Sequence, residues 1–255
     1  MRTLLCLLGM FAVSPVMAQW QLGSSSPPVA LGHGAWQVTK QVEGPSKVEL
    51  QLVYFKTTDC VLHVIDQPKK ESALKMDVIA DREKALAICN GGYFSPDDFT
   101  PSGLQIARGK RAGVFQKGMP LGGGLLVRAG VPTLYVDAEF VDNNTITELV
   151  QCCPMLVNEG KALAEKAGGP LARRTFILTD GADHFALGVA NRVGLRELAD
   201  ILTKAGIVTE FKVLRALNLD GGPSTGLWWK NDQGIASYTK EMWPVKNLII
   251  VTPKP

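Results

Sequence analysis

Short apolar runs that end in glycine-containing turns follow one another along most of this sequence, and they constrain the fold more than any other feature. Residues 36–43 and 48–57 carry alternating and β-branched side chains on either side of a Gly-Pro-Ser turn, which predicts a strand pair. Residues 175–179 and 184–190 flank an Asp-Gly turn, which predicts a second hairpin. Because such hairpins outnumber strand–helix–strand units, most of the sheet pairing should be antiparallel.

Helical periodicity is confined to a few segments. Apolar residues recur at helical spacing within residues 194–205, and Gly206 follows as a stop signal, so a helix is predicted there. Residues 71–84 are ambiguous and allow one short helix, and residues 142–150 are compatible with another. Further strands are predicted at residues 61–66, 85–89, 104–107, 124–128, 132–136, 155–157, 213–219, 227–229 and 248–251. The predicted fold class is α+β: a single domain with a largely antiparallel or mixed β-sheet system and a few helices.

The first residues of the chain have the organisation of an export signal. A positively charged start is followed by an apolar run and by small residues up to Ala18, so residues 1–18 are predicted to be a signal peptide that is removed. The apolar run is short for a bilayer span, and an uncleaved anchor is the alternative. We therefore expect an exported protein, periplasmic or secreted, without a membrane span after cleavage. Residues 19–34, rich in Ser, Pro and Gly, are predicted to be an exposed lead-in to one domain at residues 35–255.

The length and the charge balance limit the classes of function. A chain of 255 residues is long enough for one domain with a large buried core. Its 27 Lys and Arg residues stand against 24 Asp and Glu residues, a formal net charge of +3. A chain this close to neutral does not suggest binding to nucleic acid or to an anionic membrane surface.

Four cysteines follow the predicted signal peptide. Export would place them where disulfides form, and their number is even. Cys152 and Cys153 are adjacent, and a bridge between neighbours is strained, so each is expected to pair with Cys60 or Cys89. Their spacing matches no zinc pattern, and a catalytic thiol is the alternative to a structural one.

The most informative stretch for function lies at residues 216–225. Residues 216–219 have the character of a buried strand that ends at Asp220, and two glycines and the hydroxyls of Ser224 and Thr225 follow. A carboxylate at a strand end, next to backbone that can approach a ligand closely, is a common way for a scaffold to present chemistry. The alternative is a strand that ends in an ordinary Asp-Gly turn.

A second turn of the same kind begins at Asn90. Gly91 and Gly92 follow the apolar run 85–89, and consecutive glycines allow backbone amides to converge on an anion. Arg174 opens a predicted strand and could hold a phosphate or a carboxylate with two parallel hydrogen bonds. A solvated basic pair, formed with Arg173, is the alternative. Neither glycine turn has the spacing of a nucleotide-binding loop.

These segments together resemble the signature of the phosphodiester glycosidase family. Residues 88–94 (Ile-Cys-Asn-Gly-Gly-Tyr-Phe), with residues 101–104 (Pro-Ser-Gly-Leu) after a loop, are similar to its first motif. Residues 151–157 resemble its central Gln-x-Gly-Pro-x-Leu-Val segment, and residues 174–175 resemble the Arg-Thr that follows. Residues 216–225 resemble its closing Leu-Asp-Gly-Gly-Gly-Ser-Ser/Thr motif. The likeness has two departures, since Pro223 and Cys153 stand where the family usually has glycine.

The resemblance implies a hydrolase that cleaves the glycosidic bond of a sugar 1-phosphodiester. The family includes the uncovering enzyme of the lysosomal pathway and many exported bacterial proteins. The implied substrate is therefore a glycosyl phosphodiester or a polysaccharide, in envelope or exopolysaccharide material. Asp220 would act as base or nucleophile, Arg174 would hold the phosphate, and Asn90 would complete the catalytic group. The expected substrate-binding residues are Gly91, Gly92, Asn218, Gly221, Gly222, Ser224 and Thr225.

Several alternatives stay open at this level. No cofactor and no metal are expected, and a divalent cation held by Asp220, Asn90 and a loop acid is the alternative. A second catalytic carboxyl is not evident, and its candidates, Asp97, Asp98, Glu159 and Asp183, are more typical of turns or solvated surface. Trp228, Trp229 and Trp243 could stack on sugar rings, and the alternative is that they pack or plug the chain end. The alternative function is a non-catalytic periplasmic module that binds sugar or phosphate.

Overall fold

The computed structural model describes residues 19–163 and 169–255, and the predicted signal peptide at residues 1–18 lies outside this part of the chain. Two α-helices occur among the described residues, α1 (Met76–Glu83) and α2 (Leu195–Thr203). The strands are β1 (Gln21–Ser25), β2 (Val29–Gly32), β3 (Ala35–Glu43), β4 (Lys47–Lys56), β5 (Cys60–Asp66), β6 (Ala87–Asn90), β7 (Gln105–Ala107), β8 (Lys110–Ala112), β9 (Gly123–Arg128), β10 (Val131–Val136), β11 (Ile146–Cys152), β12 (Met155–Asn158), β13 (Lys161–Ala162), β14 (Ala172–Thr179), β15 (His184–Val193), β16 (Arg215–Asn218), β17 (Leu227–Lys230), β18 (Ala236–Thr239) and β19 (Asn247–Pro253).

The described strands form three antiparallel sheets. The large sheet has nine strands in the order β1-β3-β4-β15-β14-β16-β12-β13, with β2 also paired to β3. The β11 sheet has the order β10-β9-β11-β7-β8, and the β6 sheet has the order β18-β17-β6-β19-β5. The predicted α+β class with a largely antiparallel sheet system is confirmed, as are the β3–β4 and β14–β15 hairpins.

The large sheet is buried on both faces. Side chains alternate along β14, so that Ile177 joins a core shared with the β6 and β11 sheets, whereas Phe176 and Leu178 join a second core with α2. The second core includes the apolar face of α2, which confirms the helix predicted over residues 194–205. The two smaller sheets therefore cover one face of the large sheet, and α2 covers the other.

The prediction of a short helix at residues 142–150 is wrong. The segment Ile146–Cys152 is strand β11, which pairs with β9 on one side and with β7 on the other. Of its side chains, only that of Thr147 is exposed, so the segment is buried on both faces. A strand in the middle of a buried sheet loses the clean alternation of apolar and polar residues, and tertiary pairing then overrides a weak helical signal.

The segment 19–34, predicted as an exposed lead-in, contributes two strands to the edge of the large sheet. Its strands β1 and β2 both pair with β3, and most of their side chains are exposed as predicted. Trp20 is buried, and its ring lies against Gly44, where an added Cβ would come within 2.3 Å of Cε3. A Ser- and Pro-rich segment can add to an exposed strand because the pairing uses backbone groups, which every sequence except proline supplies.

The four cysteines in the described part of the chain are free thiols, so the predicted disulfides are not present in the structure. Cys60, Cys89 and Cys152 are buried in the core between the sheets, and Cys153 is half-buried. Burial raises the pKa of the Cys60 thiol to about 11, helped by the nearby charge of Asp59. No helix among the described residues is long and apolar enough to cross a membrane.

Candidate active site

Two strand ends from different sheets meet at the centre of the candidate site. Strand β16 of the large sheet ends two residues before Asp220, and strand β6 of the β6 sheet ends at Asn90. The Asp220 N–H donates to the Gly91 carbonyl at an N···O distance of 2.9 Å. The two glycine turns that the sequence singled out, 130 residues apart, are thus in direct contact.

The Asn90 side chain stabilises the junction between the two turns through buried hydrogen bonds. Its Nδ2 donates to the Asp220 carbonyl at 2.7 Å, and its Oδ1 accepts from the Thr175 hydroxyl at 2.6 Å and from the Gly226 N–H at 3.1 Å. Asn90 is 1% exposed. The Asn90 amide is thus bound by protein groups on both sides, which positions the Asp220 turn, and its catalytic role remains a prediction.

The predicted anion-binding role of Gly91 and Gly92 does not agree with the geometry. The Gly91 N–H donates to the Asn247 carbonyl at 2.9 Å, and the Gly92 N–H donates to Asn247 Oδ1 at 2.7 Å. Both amides are therefore occupied. Glycine is required here for space, since a Cβ on Gly91 would lie 2.0 Å from Asn247 Oδ1 and one on Gly92 would lie 2.7 Å from Val150 Cγ1. No local signal in the sequence pointed to Asn247.

Asp220 places a half-buried carboxyl group at the surface of the junction. Its Oδ1 accepts from the Gly221 N–H at 2.8 Å, and its side chain is also hydrogen-bonded by Ser224. Burial raises the pKa of the Asp220 carboxyl, and the bonds from Ser224 and Gly221 partly offset this shift. No cationic side chain within the described ranges forms an ion pair with Asp220. This carboxyl can consequently exchange a proton at a higher pH than an ordinary aspartate.

The turn after Asp220 offers fewer donors than the family motif would. The Gly221 N–H is used by Asp220 itself, Pro223 has no N–H, and the Ser224 and Thr225 N–H groups close the 3₁₀ turn. Gly222 has a φ of +60°, and a Cβ there would meet nothing within 4 Å, so its backbone faces open space. Of the backbone N–H groups predicted to bind an anion at this turn, only that of Gly222 is therefore available.

The two hydroxyls of the turn differ in their surroundings. Ser224 is buried and hydrogen-bonds the Asp220 carboxyl, and its predicted contact with substrate remains a prediction. Thr225 is 0% exposed, and its Oγ1 has no hydrogen-bond partner among the described residues. The Thr225 hydroxyl is thus enclosed by protein, and its predicted contact with substrate remains a prediction.

Arg174 lies directly beside the Asp220 turn. Its Cδ is 3.8 Å from the position of a Cβ on Gly221, and the residue is 8% exposed. Its Nε donates to the Val193 carbonyl at 3.1 Å and its Nη2 donates to the Pro170 carbonyl at 2.6 Å. Desolvation lowers the pKa of the guanidinium, and no carboxylate in the described ranges pairs with it. A buried cation without such a partner is well suited to an anionic ligand.

Tyr93 and Asn218 form a third polar group, and Tyr93 was not among the predicted site residues. Asn218 Nδ2 donates to the Tyr93 hydroxyl at 2.9 Å and to the Cys153 carbonyl at 3.0 Å, and the Tyr93 hydroxyl donates to the same carbonyl at 3.1 Å. Asn218 is 1% exposed and bonds the Tyr93 hydroxyl, and its contact with substrate remains a prediction. Burial raises the pKa of the Tyr93 phenol, the nearby Asp220 carboxylate adds to this shift, and the Arg174 guanidinium opposes it.

The four acids considered as second carboxyls lie elsewhere. Asp98 accepts from the Thr100 hydroxyl in an exposed loop that also contains Asp97, and Glu159 occupies an exposed turn with a φ of +51°. Asp183 pairs with His184 at 2.9 Å, at the end of β14 opposite to Arg174. With its oxygen bound by two donors, Asn90 is also unsuited to ligate a cation beside Asp220.

Comparison with known proteins places this geometry in a family. A family profile described as phosphodiester glycosidase matches residues 83–252, which is more than half of the chain. That span includes Asn90, Arg174 and Asp220. No curated protein matches the chain.

Solved structures with the same fold are distant in sequence. The catalytic domain of zebrafish N-acetylglucosamine-1-phosphodiester alpha-N-acetylglucosaminidase, auto-inhibited by its pro-peptide, has a TM-score of 0.62 and 15% identity over 96% of this chain and 86% of that one. A hypothetical protein from Synechocystis has a TM-score of 0.61 and 16% identity over 94% and 69%. A Burkholderia pseudomallei protein thought to be exported has a TM-score of 0.55 and 11% identity over 82% and 75%. These likenesses show the fold, and the profile match over residues 83–252 shows that the chain belongs to the phosphodiester glycosidase family.

Proposed function

We propose that the protein is an exported hydrolase that cleaves the glycosidic bond of a sugar 1-phosphodiester. The observation that carries this proposal is the juxtaposition of a half-buried carboxyl, Asp220, with a buried guanidinium, Arg174, that has no carboxylate partner among the described residues. The first group suits chemistry at the sugar carbon and the second suits a phosphate. The zebrafish protein of the same fold is named for this reaction on N-acetylglucosamine.

The proposed cleavage does not depend on a second carboxyl group that protonates the leaving group. Cleavage breaks the bond between the anomeric carbon and the phosphate oxygen, and the electron pair of that bond goes to the oxygen. The leaving group is a phosphate monoester, which is stable without a proton from the protein. Asp220, when ionised, either takes a proton from the attacking water or attacks the anomeric carbon itself. The absence of a second carboxyl among the predicted candidates is consistent with this substrate class.

The residues around these two groups act through position. The Arg174 guanidinium stabilises the charge that develops on the phosphate, and the Gly222 N–H is the backbone donor available beside it. Asn90 and Ser224 hold the Asp220 backbone and side chain, respectively. Export is proposed from residues 1–18, and the Burkholderia neighbour of the same fold is in keeping with it.

A substrate panel tests the proposed function. It would contain aryl, methyl and sugar diesters of N-acetylglucosamine 1-phosphate and of glucose 1-phosphate, with release of free sugar as the readout. We expect turnover of at least one diester and none of the corresponding phosphate monoesters. Saturable binding without release of sugar from any member would favour the alternative function, a sugar- or phosphate-binding module, and would contradict the enzyme.

Replacement of Arg174 should weaken the reaction at the phosphate. We expect Arg174→Met to lower kcat/KM about 10²–10³-fold, as loss of one preorganised charge-stabilising donor does in other enzymes. The matched control is Arg192→Met, at an exposed arginine on β15. Steady-state kinetics on the best diester of the panel would measure both. Equal losses in the two variants would contradict the phosphate-binding role.

Loss of the Tyr93 hydroxyl should have a smaller effect. Tyr93→Phe removes the bond to the Cys153 carbonyl and one partner of Asn218 Nδ2, and we expect the free energy of unfolding to fall by about 1–2 kcal/mol. Because Tyr93 neighbours Asp220, we also expect a shift in the pH profile of kcat. Tyr54→Phe, which removes a hydroxyl bonded to Glu210 at 2.8 Å, away from the site, should destabilise without moving that profile. Identical pH profiles for the two variants would contradict a link between Tyr93 and Asp220.

A further inference from the structure

A cavity of about 240 Å³ lies between two loops that the proposed reaction does not use. Residues 73–75 form one wall, and Tyr238 with residues 240–244 forms the other. Three large apolar side chains at this cavity are exposed: Leu74 by 41%, Met242 by 70% and Trp243 by 53%. Exposed apolar side chains gathered at a concave site are a common mark of ligand binding.

The cavity stands at the same end of the β6 sheet as the candidate active site. Thr239, the last residue of β18, is opposite Leu227, and Leu227 is opposite Cys89, the neighbour of Asn90. The loop 240–246 therefore leaves the sheet where Asn90 stands. It returns at Asn247, whose carbonyl and side chain hold the Gly91 and Gly92 amides.

Hydrogen bonds tie this loop to the turn that carries Asp220. The Met242 N–H donates to the Pro223 carbonyl at 2.7 Å. Arg173 Nη2 donates both to the Thr225 carbonyl at 2.7 Å and to the Lys240 carbonyl at 2.9 Å. The cavity wall and the Asp220 turn are thus held as one unit, which is the arrangement expected of adjoining parts of one binding cleft.

The chemistry of the cavity walls is mixed. Trp243 supplies an exposed aromatic ring, and Lys75 and Lys240 supply exposed cations at its edge, Lys240 lying 5.7 Å from the Tyr238 ring centroid. The Glu241 carboxylate is engaged by the Tyr238 hydroxyl. Aromatic rings bind the apolar face of a sugar ring, and lysine side chains attract a carboxylate or phosphate. The volume is below the roughly 300–1,000 Å³ of drug-sized ligand sites, so one ring-sized group fits.

We infer that this cavity binds the alcohol half of the phosphodiester, as a sugar ring that carries a further anionic group. The ring stacks on Trp243, and the anionic group lies against Lys75 and Lys240. The inference rests on the proposed function, because the bond cleaved at Asp220 defines which half of the substrate extends into the cavity. In this assignment Trp243 and the two lysines determine substrate specificity and take no part in bond cleavage.

The test compares three diesters of N-acetylglucosamine 1-phosphate, formed with methanol, with methyl glucoside and with methyl glucuronide. We expect the wild-type protein to have a KM about tenfold lower for the glucuronide diester than for the methyl diester. Trp243→Ala should abolish that difference while changing kcat less than about twofold. The double variant Lys75→Ala/Lys240→Ala should raise KM for the glucuronide diester and leave the glucoside diester unchanged.

The matched control is Ile235→Ala, which removes an exposed apolar side chain, 62% accessible, from the far end of the β17–β18 hairpin. It should keep the wild-type preference. Equal KM values for the methyl and glucuronide diesters in the wild type, or a preference that survives Trp243→Ala, would overturn the inference while leaving the hydrolase intact.

Calorimetric titration separates the two proposals if no diester is cleaved. Binding of the glucuronide diester to the wild type, weakened about tenfold by Trp243→Ala and not by Ile235→Ala, would support the cavity even though the proposed hydrolysis of this donor had failed. No measurable binding to the wild type would overturn the cavity assignment as well.

Discussion

Asp220→Asn is expected to lower kcat/KM for the best diester by about 10⁴-fold, the size of loss seen when an essential aspartate is made neutral in other hydrolases. The substitution keeps the shape of the side chain, and its Oδ1 can still accept from the Gly221 N–H. What it removes is the ability to take a proton from water or to attack the anomeric carbon. Steady-state kinetics on wild type and variant would measure the loss. Activity within tenfold of wild type would exclude Asp220 as base or nucleophile.

The same variant should be more stable than the wild type at neutral pH. Burial raises the pKa of Asp220 in the folded protein above its value in the unfolded chain. The stability that this group contributes is therefore fully present below the unfolded pKa and is lost as the pH rises through the folded pKa. Asparagine does not ionise, so the variant escapes this loss. Thermal unfolding measured from acidic to neutral pH should show a gap between the two proteins that widens with pH.

The pH dependence of activity should run in the opposite direction. A base or nucleophile must be ionised, so wild-type turnover should rise as the pH passes the raised pKa of Asp220. Activity should therefore rise over the same pH range in which stability falls. Such a trade-off between activity and stability is expected when a site contains a buried carboxyl group. Turnover that falls over this range would instead indicate that the protonated form of Asp220 is the active one.

The second large effect is expected from Asn90→Ala. This change leaves the Thr175 hydroxyl and the Gly226 N–H without their acceptor and the Asp220 carbonyl without its donor. Each unsatisfied buried group costs about 1–3 kcal/mol, so we expect the free energy of unfolding to fall by about 3 kcal/mol or more. Because Asn90 joins the β6 sheet to the Asp220 turn, kcat should fall while KM changes less. Chemical denaturation and kinetics would measure the two effects.

Two further variants bracket the Asn90 result. Thr175→Val removes one of the hydrogen bonds and should cost a fraction of the full effect, about 1 kcal/mol. Asn143→Ala, at a half-buried asparagine whose bond to Thr145 lies at the surface, should stay within about 0.5 kcal/mol of the wild type. An Asn90→Ala protein as stable and as active as Asn143→Ala would contradict the view that Asn90 holds the junction.

Much of the fold could be predicted because it is encoded locally. One hairpin is predicted by the alternation and β-branching in residues 36–57, and the other by the Asp-Gly turn after Thr179. Both signals lie within the hairpins that they specify, and the structure confirms both hairpins. The helix α2 has its apolar stripe and its glycine stop within one segment. The helix prediction at residues 142–150 was wrong for the opposite reason. Strand β11 forms because it pairs with two strands, β9 and β7, and no residue near it in the sequence indicates that pairing.

What the sequence alone determined about this protein is the presence of an acid at a strand end, two glycine turns and an arginine in the order typical of the family. Only the tertiary structure decided which protein groups those residues contact. Asn247, from the far end of the chain, occupies the Gly91 and Gly92 amides that were expected to cradle an anion. Hydrogen-bond partners brought together by sheet register lie more than a hundred residues apart, and no local pattern records them. Asp220 and Arg174 therefore remain the proposed chemical pair, and Gly221 leaves the space that brings the Asp220 turn against the backbone of Arg173 and the side chain of Arg174.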